Sequence, residues 1–92
     1  MTSLSKNRPV YTQKKHGIEV AVWKQAHEGK PFYSISVNRS YRKDGQWHIT
    51  SSFNLKDRDM LMEMLKHAFD HAQARLDADR EKRRLEDETE AA

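Results

Sequence analysis

Between Phe32 and Asn54 the chain reads FYSISVNRSYRKDGQWHITSSFN, and large and polar residues alternate along it with the period of two that a half-buried strand requires. Tyr33, Ile35, Val37, Arg39 and Tyr41 fall on one side, with Ser34, Ser36, Asn38, Ser40 and Arg42 between them. A second arm places Trp47, Ile49, Ser51 and Phe53 on the helix-facing side with Tyr41, and His48, Thr50, Ser52 and Asn54 on the open side with Arg42, and Asp44-Gly45 marks the turn. A two-residue loop would set Val37 opposite Ser52 and mix the faces. The alternation therefore predicts a three-residue Lys43-Asp44-Gly45 loop ending in a left-handed glycine with a bulge, which pairs Tyr41 with Trp47, Arg39 with Ile49 and Ile35 with Phe53.

The rest of the chain is placed by reference to this hairpin. Arg8 to Gln13 predicts a short first strand, with Pro9 confining it to an edge or a strand start, and Lys14-Lys15-His16-Gly17 a basic turn. Ile18 to Gln25 alternates as a clearer strand with Trp23 on its polar side, and Ala26 to Pro31 is a connection of hairpin length. A helix is expected from about Lys56 to Asp59 onward, because Leu61, Met64, Leu65, Ala68, Phe69, Ala72 and Leu76 recur at three- and four-residue spacing. Past Asp77 that period stops. The pattern implies an α+β domain, a β-sheet of three to four strands followed by one long C-terminal helix (ββββα). It occupies residues 8–76, between a flexible N-terminus at 1–7 and a charged helical extension or disordered tail at 77–92.

Composition limits what such a domain can be. With 92 residues, 36% apolar and 34% charged, there is room for one modest core. With polar ends, the ordered part is expected at about 70 residues, a size that buries only about 60% of the surface its unfolded form exposes, so a homodimer is expected as a source of further burial. The absence of cysteine excludes disulfides and thiolate metal sites and suits a reducing cytoplasm. Neither a signal-peptide core nor a run of membrane-spanning length is present, so the chain is expected to be soluble and cytoplasmic, with no membrane partner.

Charge is distributed unevenly around a net +3. Residues 1–17 hold four bases and no acid, residues 18–55 five bases against three acids, and residues 56–92 eight bases against eleven acids. An anionic partner is thereby directed to the sheet half. His67 and His71 have the helical spacing of metal ligands with Glu63 and Asp70 nearby, but two imidazoles do not close a tetrahedral site, and no metal or other cofactor is assigned. Nothing resembles a nucleophile with its base, a phosphate-cradling glycine loop or a paired-carboxylate site, so an enzyme is not expected.

What remains is a set of basic and aromatic residues interleaved on a sheet: Lys14, Lys15, Trp23, Arg39, Tyr41, Arg42, Lys43, Trp47 and His48. Single-stranded nucleic acid requires this mixture, because cations follow phosphates while aromatic faces stack unpaired bases. The order of strands, the stretch ISVNRSYRKDGQWH and the helix start SFNLKDRDMLMEML resemble the PC4, Whirly and PUR-alpha class of single-stranded DNA-binding domains over residues 9 to 76. That resemblance implies a curved antiparallel four-stranded sheet, a dimer whose sheets hold the strand, and backbone-contacting or stacking roles for Arg39 and Tyr41. The chain departs from the class where His48-Ile49-Thr50-Ser51-Ser52-Phe53 replaces a basic, glycine-containing run, so contacts made there are not carried over. The expected function is binding of single-stranded DNA with little sequence preference, in transcription regulation or replication. RNA binding by the same surface and a dimeric protein-interaction module that binds no nucleic acid are the alternatives.

Overall fold

A computed structural model describes residues 8–91, with the side chains of 88–91 outside the description; the expected flexible N-terminus at 1–7 lies outside the described residues. Four antiparallel strands run β1 (Tyr11–Lys15), β2 (Ile18–His27), β3 (Lys30–Lys43) and β4 (Gln46–Thr50), in that spatial order. A 3₁₀ turn (Leu55–Asp57) then leads into one helix, α1 (Arg58–Ala91). The fold is thus α+β, an open four-stranded antiparallel sheet followed by one C-terminal helix, as the alternation and the helical stripe predict. No helix among the described residues is long and apolar enough to cross a membrane.

All three strand connections obey one rule. His16-Gly17, Glu28-Gly29 and Asp44-Gly45 are two-residue loops whose central residues all have positive φ (49° and 83°, 54° and 79°, 52° and 76°), the type I′ arrangement that matches the twist of adjoining strands. Three expectations are corrected as a result. Lys14 and Lys15, expected in a basic turn, are the last residues of β1, and only His16-Gly17 makes the turn. The stretch from Ala26 to Pro31 is mostly strand around a tight turn, and the β3–β4 loop has two residues, not three. Tyr41 pairs with His48 and Arg42 with Trp47. Pairing Val37 with Ser52, the objection to a two-residue loop, never arises, because β4 ends at Thr50 and covers only Arg39 to Lys43 of β3. Val37 and Ile35 find their apolar partners on the other side, in Val20 and Val22 of β2.

The core forms where that second pairing meets the helix. Ile18, Val20 and Val22 of β2 are fully buried against Met64, Ala68 and Ala72 of α1. Two alanines at i, i+4 let the helix backbone approach the strand, and Tyr11, Ile35, Val37, Phe53, Leu61 and Leu65 close the margins. Past this core, Asp79 ties the helix to the sheet: it accepts a hydrogen bond from the Tyr33 hydroxyl and an ion pair from Lys24 Nζ at 3.2 Å. The Tyr33 bond is the main cause that holds the Asp79 carboxyl below its ordinary value, while the bond to Asp79 raises Lys24. Desolvation, then the same bond, raises the Tyr33 hydroxyl.

Two outcomes test this account. Alanine at Gly17, Gly29 or Gly45 meets an unfavourable positive φ, of order 1 kcal/mol. At Gly17 the added methyl would also lie 2.9 Å from the Ser40 carbonyl oxygen, with only open space at the other two. Gly17→Ala should therefore lower the melting temperature more than either of the others in thermal denaturation; equal effects would remove the close approach from the account. For Asp79→Asn, the carboxylate with the depressed folded-state pKa stabilises the native state above its unfolded value near 3.8 and stops doing so as pH falls through the lower folded value. The gap in melting temperature between wild type and variant should be full at pH 6 and close on acidification below about 4.

Candidate nucleic-acid interface

Parity and register divide the sheet into a covered and an open face. With α1 on one side, the other presents Thr12 and Lys14 from β1, Glu19, Ala21, Trp23 and Gln25 from β2, Phe32 to Arg42 by alternate residues from β3, and Trp47 and Ile49 from β4. Its middle is the polar row Ser34, Ser36, Asn38 and Ser40, as the alternation predicts. Near one end Trp23 is half-buried, its indole Nε1–H donating to Ser36 Oγ at 2.9 Å, and Phe32 lies one step away on the diagonal with 42% of its surface exposed. At the other end Trp47 and Ile49 are 67% and 73% exposed, and the Arg42 guanidinium lies 5.7 Å from the Trp47 ring centre. From Ser34, opposite Trp23, to Arg42, opposite Trp47, is eight residues of strand, about 26 Å.

The register shift redistributes the predicted residues. Trp47, expected on the covered parity with Tyr41, stands on the open face, and His48, expected on the open face, belongs to the opposite side. There His48 stacks on Tyr41 with ring centres 5.2 Å apart, and Arg39 lies 5.5 Å from the Tyr41 ring. Trp23 and Arg42 keep the predicted open side, and Lys14, expected in a basic turn, joins them there as a residue of β1. Lys15 takes the covered parity at the end of β1, and Lys43 flanks the hairpin turn. Eight of the nine predicted residues gather at the end of the sheet that carries the β1–β2 and β3–β4 turns, and Trp23 stands apart toward the other end.

This grouping has a geometric cause. β2 begins at Ile18, which pairs with Arg39, and β1 ends one turn away at Lys15. Beyond Arg39, β3 runs on for four residues with only β4 beside it, forming a two-stranded ribbon about 13 Å long. Each face of that ribbon carries an arginine beside an aromatic ring, Arg42 with Trp47 and Arg39 with Tyr41. A cation–ring pair of this kind sets an aromatic ring beside a hydrogen-bond donor of positive charge. Arg39 is further fixed by its Nε–H, which donates to the Ser52 carbonyl oxygen at 3.0 Å.

Phe32 and Ile49 were not among the predicted site residues, and their signal was in the sequence. Asp-Gly is a strong two-residue type I′ pair, and accepting it at Asp44-Gly45 moves Ile49 to the open side at once. Of the histidine pair on the helix, His71 stacks on Tyr11 with ring centres 4.6 Å apart and accepts a hydrogen bond from Arg75 Nε at 2.9 Å, while His67 Nε2 lies 4.0 Å from Glu63 Oε2. Among the described residues no three His, Cys, Asp or Glu side chains converge as a metal site would need. Comparison with protein-family models, with curated proteins and with solved structures finds no match to this chain.

Proposed function

We propose that the protein binds single-stranded nucleic acid, DNA in the first instance, along the open face of its sheet and with little sequence preference. The observation that carries this reading is the open face itself: a polar row of serines and asparagine between Trp23 and Phe32 toward one end and the Arg42–Trp47 pair at the other, about 26 Å from Ser34 to Arg42. Unpaired bases stack on exposed rings at about 1–3 kcal/mol each, and short hydroxyl and amide side chains between the rings offer donors and acceptors without bulk. Duplex DNA would need an element shaped for its groove, and α1 is a poor one because bases and acids alternate along its exposed side. The resemblance to the PC4, Whirly and PUR-alpha class supports the same reading, and with it a role in transcription or replication; the lack of cysteine suits a cytoplasmic setting.

The acting species is a homodimer. Along the flank of α1 beside β3, Met62 and Phe69 are exposed, Phe69 to 57%, next to half-buried Leu65 and Leu76. Among the described residues no strand pairs with the outer side of β3 from residue 30 to 38, since β4 begins its pairing at Arg39. An uncovered strand edge next to an apolar helix flank is a surface that a second copy can close.

Fluorescence anisotropy with labelled oligonucleotides tests the first claim. Labelled dT20 should bind with a log–log salt slope of about −0.7 per phosphate contact, and a matched duplex should bind at least tenfold more weakly. Trp47→Ala should weaken dT20 binding by about 1–3 kcal/mol, whereas Lys66→Ala, on the solvent side of α1, should leave it unchanged. Equal affinity for duplex, or binding indifferent to salt, would favour a groove-reading ribbon or a protein-interaction module instead. For the second claim, Phe69→Glu should convert the sedimenting species to a 10.9 kDa monomer; a wild type that already sediments at that mass would remove the dimer.

A further inference from the structure

The notch beside the projecting ribbon opens into a hollow on the helix side, between the β1–β2 turn, the middle of β3 and the start of the helix. It measures about 380 Å³ and is lined by the apolar Met60 and by the polar residues His16, Arg39, Ser40, Asn54, Lys56 and Asp57. We propose that this hollow holds a phosphate group of the bound strand, so that the strand leaves the open face through the notch and is anchored behind it. This deepens the strand-binding reading and rests on it for the polynucleotide, although the hollow's affinity for phosphate is a separate property.

The chemistry of the lining selects an anion of this kind. Arg39 and Lys56 carry permanent charge, and His16 and Asn54 add further donors. The one carboxylate, Asp57, is turned to the backbone, where Oδ2 accepts from the Asn54 N–H at 3.3 Å. The bond from Arg39 to the Ser52 carbonyl uses Nε, so the two terminal amino groups are the donors a phosphate would meet, in the forked geometry that suits its oxygens.

The walls are also held in place before any ligand arrives. The Ser40 N–H donates to the Gly17 carbonyl oxygen at 2.8 Å, and the missing Cβ of Gly17 allows the turn to close to within contact of the Ser40 carbonyl. That clamp fixes His16, at φ 49°, over the hollow's edge. Opposite it, the Asp57 N–H donates to the Asn54 carbonyl at 2.9 Å and sets the backbone around Lys56. A cationic hollow with both rims pinned to backbone loses little freedom on binding.

Salt-dependent dT20 binding and inorganic phosphate together decide the matter. Lys56→Gln and His16→Asn keep polarity, and asparagine tolerates the left-handed backbone at residue 16. In Lys56→Gln the salt slope for dT20 should fall by about 0.7, one phosphate contact, with affinity reduced roughly three- to tenfold at low salt, while Lys66→Gln stays at wild type. His16→Asn should weaken dT20 binding in the same direction. Titrating the wild type with millimolar inorganic phosphate should move the amide resonances of Gly17, Ser40 and Lys56. If dT20 binds and Lys56→Gln matches Lys66→Gln, the hollow is no part of the site, although strand binding stands. If dT20 does not bind, strand binding falls, and the phosphate titration alone judges the hollow: shifts confined to those amides uphold it, and their absence overturns it.

Discussion

Everything in this fold follows from a parity constraint set by three turns. A two-residue loop between antiparallel strands makes the residues on either side of it partners, and that pairing fixes which positions share a face along the whole ladder. Because His16-Gly17, Glu28-Gly29 and Asp44-Gly45 are all of this kind, the ladder passes from β1 to β4 without a bulge, and one face is consistent from edge to edge. One extra residue in any turn would flip every side chain beyond it. The chain contains three glycines, and each stands second in one of these turns. The apolar side chains of β2 and β3 therefore meet the helix together, and the aromatic residues of the hairpin tip fall where the turn sends them.

Given that parity, burial is thin and concentrated. Only the middle of the sheet meets the helix closely, through Ile18, Val20 and Val22 against Met64, Ala68 and Ala72. Small residues in the helix bring it near but contribute little area of their own, so the margins depend on long side chains that remain half open. Tyr33, Lys24 and Asp79 then serve where apolar packing has ended, by joining helix to sheet through a hydroxyl, an ammonium and a carboxylate at a partly wet site. Such a contact contributes modestly because solvent screens it.

The alternation made both the sheet and the covered face of β2 legible, and the helical stripe from Leu61 to Leu76 was legible for the same reason: each is a repeat that burial imposes on the chain. The hairpin register was not, because its reading assumed that β3 finds its apolar partners in β4. They lie in β2, and β4 is a short appendage to the far end of β3. Trp47 and Ile49 fall on the helix-facing parity when the hairpin is read by its alternation, yet alternation states only that two faces differ. It does not state which of them is covered. Phe69 misled in the opposite sense: it lies in the helical stripe but at its margin, and more than half its surface is open. The hollow behind the ribbon could not be read at all, since His16, Arg39 and Lys56 belong to three separate segments and only the closed turn at Gly17 joins them.

The exposed ribbon raises a question of cost that bears on its use. Trp47 and Ile49 leave large apolar surface in water on a two-stranded element, and two strands alone are marginally stable. Nothing in the core needs them there, since β2 and α1 bury the other end of β3 without their help. Lysine or glutamate at these positions would keep the same strands and the same turn with better solubility. A ribbon that instead sets an arginine beside a ring on each of its faces, at the basic end of the sheet, has the composition of a contact surface. On the strand-binding proposal, its aromatic rings would cover bases and its cations would meet the adjoining phosphates, and a flexible single strand would adapt to both faces where a stiff duplex would not.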